Sequence, residues 1–172
     1  MNLGTTIVQK HFTLLAISGL FFICVLFFYQ PLFSGGIVNA TDILTQSYFW
    51  NVFIKENLFA DPCFRTWLPY INAGTPFSGG LDLLFRPVML LTLLFFPVHI
   101  AINYEMILYF FLMGVFMYFY MRELQVSPLS AFLAALFLML NGEMVSLLNA
   151  GHVNKIGAIA FAPLVFWAFE RA

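Results

Sequence analysis

The chain has 172 residues, of which 62% are hydrophobic and only 9% are charged, and its formal net charge is −1. A soluble domain carries about 25% charged residues and a nucleic-acid-binding domain shows a basic stripe, so both classes are excluded and no nucleic-acid partner is expected. The composition predicts an all-α integral membrane protein whose main partner is the lipid bilayer. Residues 1–172 are interpreted as a single transmembrane module.

Four apolar runs are candidates for crossing the hydrocarbon core, which takes about 20 helical residues. The first run lacks charge and follows Lys10, so the positive-inside rule places the N-terminus in the cytoplasm. A cleaved signal peptide is the alternative interpretation, but the apolar part of such a peptide has only about 7–15 residues. The predicted spans are 12–33, 103–121, 129–147 and 156–169.

The first external loop, residues 34–102, is predicted to hold a juxtamembrane helix. The segment Ile43–Phe59 lacks Gly and Pro and is apolar almost all round, which is typical of a helix on the membrane surface. Its narrow polar stripe has the helical spacing i, i+4, i+8 and consists of Ser47, Asn51 and Lys55.

A second apolar segment of this loop, residues 87–98, decides the predicted topology. Pro87 and Pro97 bracket nine residues, which as a helix would reach about half of the hydrocarbon core. We therefore predict a surface or re-entrant helix here rather than a span. The resulting four-span topology also puts more basic residues in the cytoplasm than a five-span topology would.

In the four-span topology, polar side chains gather at the extracytoplasmic side, where ionisable groups at membrane depth are usually functional. Asp42 follows the first span and is either the N-cap of the next helix or a catalytic carboxylate. Glu143 lies within an apolar run, so it is either a buried candidate substrate-binding carboxylate or at an aqueous helix end. Glu105 is expected at the membrane interface.

The loop Gly151–Lys155 combines a glycine, an imidazole, an amide and an ammonium group. His152, Asn154 and Lys155 predict either a phosphate-binding loop, in which the lysine acts as a point charge, or a solvated loop without a ligand. Arg65 and Arg86 are interpreted as partners of nearby acids or of an anionic ligand.

Three stretches in this order resemble the N-terminal part of the YfhO family of bacterial membrane proteins, which look like GT-C-type glycosyltransferases. They are Ala40–Gln46, Trp67–Phe77 and Ala150–Lys155, the last followed by Ala160–Leu164. The resemblance implies a GT-C-like N-terminal module in a bacterial cytoplasmic membrane. It also implies transfer of a sugar from a polyprenyl-phosphate donor to a cell-envelope acceptor outside the cytoplasm.

The resemblance further implies roles for individual residues. Asp42 would act as general base on the acceptor hydroxyl, or orient it through a divalent metal ion, and the cofactor stays open. Lys155 and His152, with Arg65 or Arg86, would hold the donor phosphate. The alternative is a non-catalytic membrane protein that binds or transports a lipid-linked intermediate with the same basic loop.

Members of that family are several hundred residues long. We therefore expect this chain to be an N-terminal fragment that inserts into the membrane, needs downstream transmembrane helices as partners, and is inactive alone.

Overall fold

The computed structural model describes residues 3–57, 67–69, 73–76 and 86–172, with backbone alone for residues 3–10. This part of the chain is predominantly helical, in agreement with the predicted fold class, but it also contains a two-residue antiparallel strand pair that the sequence did not predict. The elements are α1 (Leu3–Phe27), α2 (Tyr29–Phe33), a π-helical turn (Ile43–Ser47), α3 (Tyr48–Glu56), β1 (Trp67–Leu68), β2 (Thr75–Pro76), α4 (Pro87–Phe95), α5 (Val98–Glu123), α6 (Pro128–Met139), α7 (Gly142–Ala150) and α8 (Val153–Arg171).

Three helical segments of the described chain are long and apolar enough to cross a membrane: α5, the pair α6–α7 over Pro128–Ala150, and α8. Their length and composition agree with the predicted all-α membrane protein. The apolar part of α1, His11–Phe27, is shorter. The predicted span 12–33 is interrupted, because the proline ring of Pro31 has no N–H to donate to the carbonyl of Phe27, where α1 ends.

The other predicted spans correspond to helices with different ends. Helix α5 begins at Val98, five residues before the predicted start, so residues 98–102 belong to a span and not to the loop. Helix α8 has 19 residues rather than 14 and is about 28 Å long. The third span breaks between α6 and α7, where the Asn141 side chain accepts a hydrogen bond from the Met144 N–H and caps α7.

Helix α5 is the centre of the fold and packs against α1, α2, α3, α4, α6 and α8. It runs antiparallel to α1, since Thr13 contacts Tyr118 near one end and the Cys24 thiol contacts the Ile107 carbonyl near the other. Helix α1 therefore ends beside the first half of α5, the half that begins at Val98.

Helix α8 lies beside α5 in the same direction. The Cα of Gly157 faces the ring of Tyr109, and at the far end the Arg171 guanidinium approaches the Glu123 carboxylate at 3.6 Å. The helices therefore share two ends. We call them the Asp42 end, which also holds Asn103 and Gly151, and the Arg122 end, which holds the α5–α6 loop.

Small residues allow the helices to approach closely, as is usual where lipid supplies no hydrophobic driving force between helices. A Cβ on Gly114 of α5 would lie 2.2 Å from the Met139 sulfur, and one on Gly19 of α1 would lie 3.2 Å from the Phe132 ring. Ala131 of α6 is completely buried in the same interface region. The bundle is therefore packed by steric fit around α5.

The polar stripe of α3 faces other parts of the protein, and the place of this helix on the membrane surface stays a prediction. Asn51 is only 2% exposed, and the Lys55 ammonium donates to the carbonyl of Phe96, beyond the end of α4. The described helix also ends at Glu56, three residues before the predicted boundary of Phe59. The stripe thus fastens α3 to the α4–α5 connection.

Helix α4 confirms the predicted short helix between two prolines. Its nine residues reach about 14 Å, too short to cross the hydrocarbon core. Met89 and Leu93 pack against Ile54 and Ala101, while Phe95 on another face is exposed.

Candidate functional site

Asp42 precedes the π-helical turn and does not cap it, so the N-cap interpretation is wrong. Its backbone is already helical, at φ −70° and ψ −24°, and its side chain makes no capping hydrogen bond. The Leu44 N–H bonds to the Ala40 carbonyl, so the helical turn starts before Asp42. The carboxylate is therefore free to contact another part of the chain. Single π-helical turns are frequent at functional sites.

The turn between α7 and α8 carries His152 to this carboxylate. Gly151 ends α7 with a left-handed backbone at φ +87°, and its N–H bonds to the carbonyls of Leu147 and Leu148. A Cβ at this position would lie 2.9 Å from the backbone nitrogen of Ile43. Glycine is therefore required twice, for the backbone conformation and for contact with the turn beside Asp42.

His152 and Asp42 contact each other at 2.9 Å between Nε2 and Oδ2, with each side chain about one-third exposed. A carboxylate can only accept, so the Nε2–H donates. The predicted proximity of Asp42 to the Gly151–Lys155 loop is thus confirmed. The second ring nitrogen of His152, Nδ1, is buried and has no hydrogen-bond partner among the described residues. Oδ1 of Asp42 likewise makes no hydrogen bond to a described residue.

Asn103 of α5 holds the segment that leads to Asp42. It is 1% exposed, its Oδ1 accepts from the Val38 N–H at 3.0 Å, and its Nδ2 donates to the carbonyls of Gly36 at 2.7 Å and Pro31 at 3.3 Å. All three contacts are side chain to backbone, so they fix the path of the chain whatever side chains it carries.

Asn154 and Lys155 lie in the first turn of α8 and are exposed. The described residues offer Lys155 no ion pair. The N–H groups of a first helical turn have no partner within the helix and point toward an approaching anion. The ammonium group and these donors lie one turn from the Asp42–His152 pair, so cationic and anionic groups are close but separately placed.

Arg86 belongs to a different, buried cluster at the Asp42 end. Its Nη2 donates to Oε1 of Glu105 at 2.7 Å, and Tyr109 interacts with both side chains. Burial lowers the pKa of the Arg86 guanidinium, but the Glu105 carboxylate outweighs this and leaves that pKa above its ordinary value. Glu105 is 0% exposed and lies inside the protein, while its place at the depth of the membrane interface stays a prediction.

The remaining predicted residues do not join the pair. Glu143 is exposed in the first turn of α7, so the interpretation as a buried residue is wrong. It lies eight residues before Gly151, which corresponds to about 12 Å along a helix. Arg65 lies outside the described residues.

The described part of the chain holds no group of three or more His, Cys, Asp or Glu side chains suited to a metal ion. Asp42 and His152 offer two ligand side chains, which already bond to each other. This donor set does not fit a dedicated divalent cation site of protein ligands, which for magnesium or calcium needs several oxygen atoms. The chemistry proposed for this pair therefore uses no metal ion.

Sequence reasoning missed the Asn103 contacts, and although it allowed Arg86 to pair with an acid, it did not identify Glu105 as that acid. The signal was present, because Asn103 and Glu105 interrupt a run of apolar residues, and buried polar groups need partners. What the sequence did not show was which of several distant polar groups each would meet.

Comparison of the chain with known protein families, curated proteins and solved structures finds no match. The function must therefore be argued from the site.

Proposed function

We propose that the chain is the N-terminal module of a membrane glycosyltransferase. It would transfer a sugar from a polyprenyl-phosphate donor to a cell-envelope acceptor on the extracytoplasmic side of a bacterial cytoplasmic membrane. The observation that carries the proposal is the 2.9 Å contact of Asp42 with His152, one helical turn from exposed Lys155.

In this proposal Asp42 is the general base. The acceptor hydroxyl oxygen attacks the anomeric carbon, the bond from that carbon to the phosphate oxygen breaks, and the hydroxyl proton passes to Oδ1 of Asp42. His152 positions the carboxylate by donating from Nε2 to Oδ2. This differs from the phosphate-binding role that the resemblance implies for His152, because Nε2 of His152 already donates to Asp42.

Lys155 and the free N–H groups of the first turn of α8 would receive the leaving group. The polyprenyl phosphate departs with the bonding electrons and gains negative charge, and a cation placed beforehand lowers the cost of that charge. Asn154 lies in the same turn and would hydrogen-bond the phosphate or sugar. Arg86 is less suited, since Glu105 compensates its charge.

The experiment compares Asp42→Asn with Lys155→Ala, both introduced into the native gene, in isolated membranes given radiolabelled polyprenyl-phosphate sugar. Asp42→Asn should lower transfer by about 10²- to 10⁴-fold, the range for loss of a general base, while donor binding persists. Lys155→Ala should weaken donor binding. Glu143→Gln, an exposed carboxylate away from the pair, is the matched control and should change neither.

The rival function is binding or transport of a lipid-linked intermediate without catalysis. The exposed first turn of α8, with Lys155, favours this second function, because phosphate binding by that turn requires no general base. A silent Asp42→Asn variant together with loss of function in Lys155→Ala would contradict the transferase and support the rival.

A further inference from the structure

Two adjoining cavities flank the Val38–Asn39 segment, just before Asp42. One, of about 490 Å³, lies between this segment and α7, and the other, of about 330 Å³, lies between it and the α1–α2 junction. Both are lined by Val38, Asn39 and Leu148, so we treat them as one feature, the Asn39 trough. Its polar lining side chains are Gln30, Ser34, Asn39, Ser146 and Asn149.

The trough collects hydrogen-bonding groups that the described protein leaves unused. Gln30, Asn39, Ser146 and Asn149 are exposed and make no side-chain hydrogen bond to described residues. The amides of Asn57, Asn103 and Asn141, by contrast, are bonded within the protein. Three free amides and a hydroxyl around one concave surface are thus available to a ligand.

The chemistry of the lining selects a neutral, polyhydroxylated ligand. A carboxamide both donates and accepts, which matches sugar hydroxyl groups that do the same. Among the described residues no charged side chain lines either cavity, so none of them would compensate a phosphate. Phe27 lines the second cavity and offers exposed apolar ring surface, whereas Phe28 is buried.

The position of the trough ties it to the proposed catalytic pair. Asn39 lies three residues before Asp42, and Asn149 lies three residues before His152. Both sides of the trough therefore continue directly into the residues that contact each other at 2.9 Å. A ligand held by these amides would lie close to the proposed base.

We propose that the Asn39 trough binds the sugar ring of a neutral carbohydrate acceptor. Binding of a sugar follows from the trough alone, whereas its role as acceptor rests on the proposed transferase function. Asn39 and Asn149 are the residues whose amides bind the hydroxyl groups, and Phe27 contacts the apolar face of the ring.

The test is saturation-transfer difference NMR on the 172-residue chain in nanodiscs of phosphatidylethanolamine and phosphatidylglycerol, prepared without sugar-based detergents. The probes are methyl β-glucoside, methyl N-acetyl-β-glucosaminide and glucose 1-phosphate. At least one methyl glycoside should bind the unmodified chain, and the Asn39→Ala/Asn149→Ala double variant should bind it about tenfold more weakly, as expected for two lost hydrogen bonds. Gln125→Ala, which removes an exposed amide at the Arg122 end, is the matched control and should leave binding unchanged.

The variants distinguish failure of the trough as a sugar site from failure of the proposed transferase function. Asp42→Asn should retain glycoside binding whether or not transfer is lost, so binding and catalysis can fail independently. Absence of binding by both glycosides, or equal binding by the double variant when its thermal unfolding matches that of the unmodified chain, would overturn the trough as a sugar site. Glucose 1-phosphate could instead bind more tightly than the glycosides. If Lys155→Ala abolished that binding and the double variant retained it, the sugar site would belong to the donor, and the acceptor role would be overturned.

Discussion

At the scale of single residues, the site depends on one glycine as much as on the two side chains that meet. Gly151 combines a left-handed backbone with an approach to Ile43 that no Cβ would permit. The sequence identified Asp42 and the Gly151–Lys155 loop as neighbours, because both follow an outward-going span. It did not identify His152 as the contact, since the loop offered three polar side chains of similar reach.

Gly151→Ala should destabilise the chain and separate His152 from Asp42. The left-handed backbone costs an alanine about 1–2 kcal/mol, and the collision with Ile43 adds to this. Thermal unfolding in nanodiscs measures the loss. Gly35→Ala is the control, because Gly35 also has a positive φ, of +67°, but its Cβ would meet no described atom within 4 Å. Equal losses in the two variants would contradict the claimed contact.

The Arg86–Glu105 pair gives a second prediction. Glu105→Leu leaves a largely buried guanidinium without its counter-charge and should cost about 3–5 kcal/mol of unfolding free energy. The Arg86→Met/Glu105→Leu double variant removes both charges and should be less destabilised than Glu105→Leu alone. Unfolding in mixed detergent micelles measures both values. A double variant as unstable as the sum of its single variants would show that the two charges are not coupled.

At the scale of elements, helix type and approximate place could be predicted wherever apolar runs were long, but helix ends could not. Helix α5 starts at Val98 because Pro97 ends the preceding segment and because Asn103 and Glu105 find buried partners. The third span breaks at Asn141, whose side chain caps α7. Such ends depend on tertiary contacts that a one-dimensional apolar pattern does not record.

The end of α3 and the end of α4 should lie on the same side of the membrane. The contact of Lys55 with the Phe96 carbonyl places the end of α4 beside the end of α3. Cysteines replacing Glu56 and Phe96, in a background with Cys24→Ala and Cys63→Ala, should react with the same impermeant maleimide in intact cells.

A cysteine replacing Gln125, at the Arg122 end, is the control for that labelling and should react only after the membrane is permeabilised. Labelling of Glu56→Cys and Phe96→Cys from opposite sides would mean that α4 crosses the membrane. The Asp42 end and the loop around Lys155 would then need a new topology.

At the scale of the whole molecule, α5 organises the chain into two ends with different contents. The Arg122 end is fastened by Trp167 and Arg171 of α8, which contact Glu123. The Asp42 end holds the Asp42–His152 pair, the cationic turn of α8 and the Asn39 trough. This division follows from the antiparallel path of α1 and the parallel path of α8 beside α5, and the four-span prediction anticipated which residues would share an end.

The most direct test of the account is a double-mutant cycle on the rate of sugar transfer, with Asp42→Asn, His152→Gln and the double variant introduced into the native gene. If His152 acts by positioning Asp42, the two residues work as a unit and their effects are not additive. We predict that His152→Gln slows transfer and that the double variant is no slower than Asp42→Asn alone. Losses that multiply in the double variant, or a His152→Gln variant with unchanged transfer, would contradict the claim that this pair is the catalytic centre.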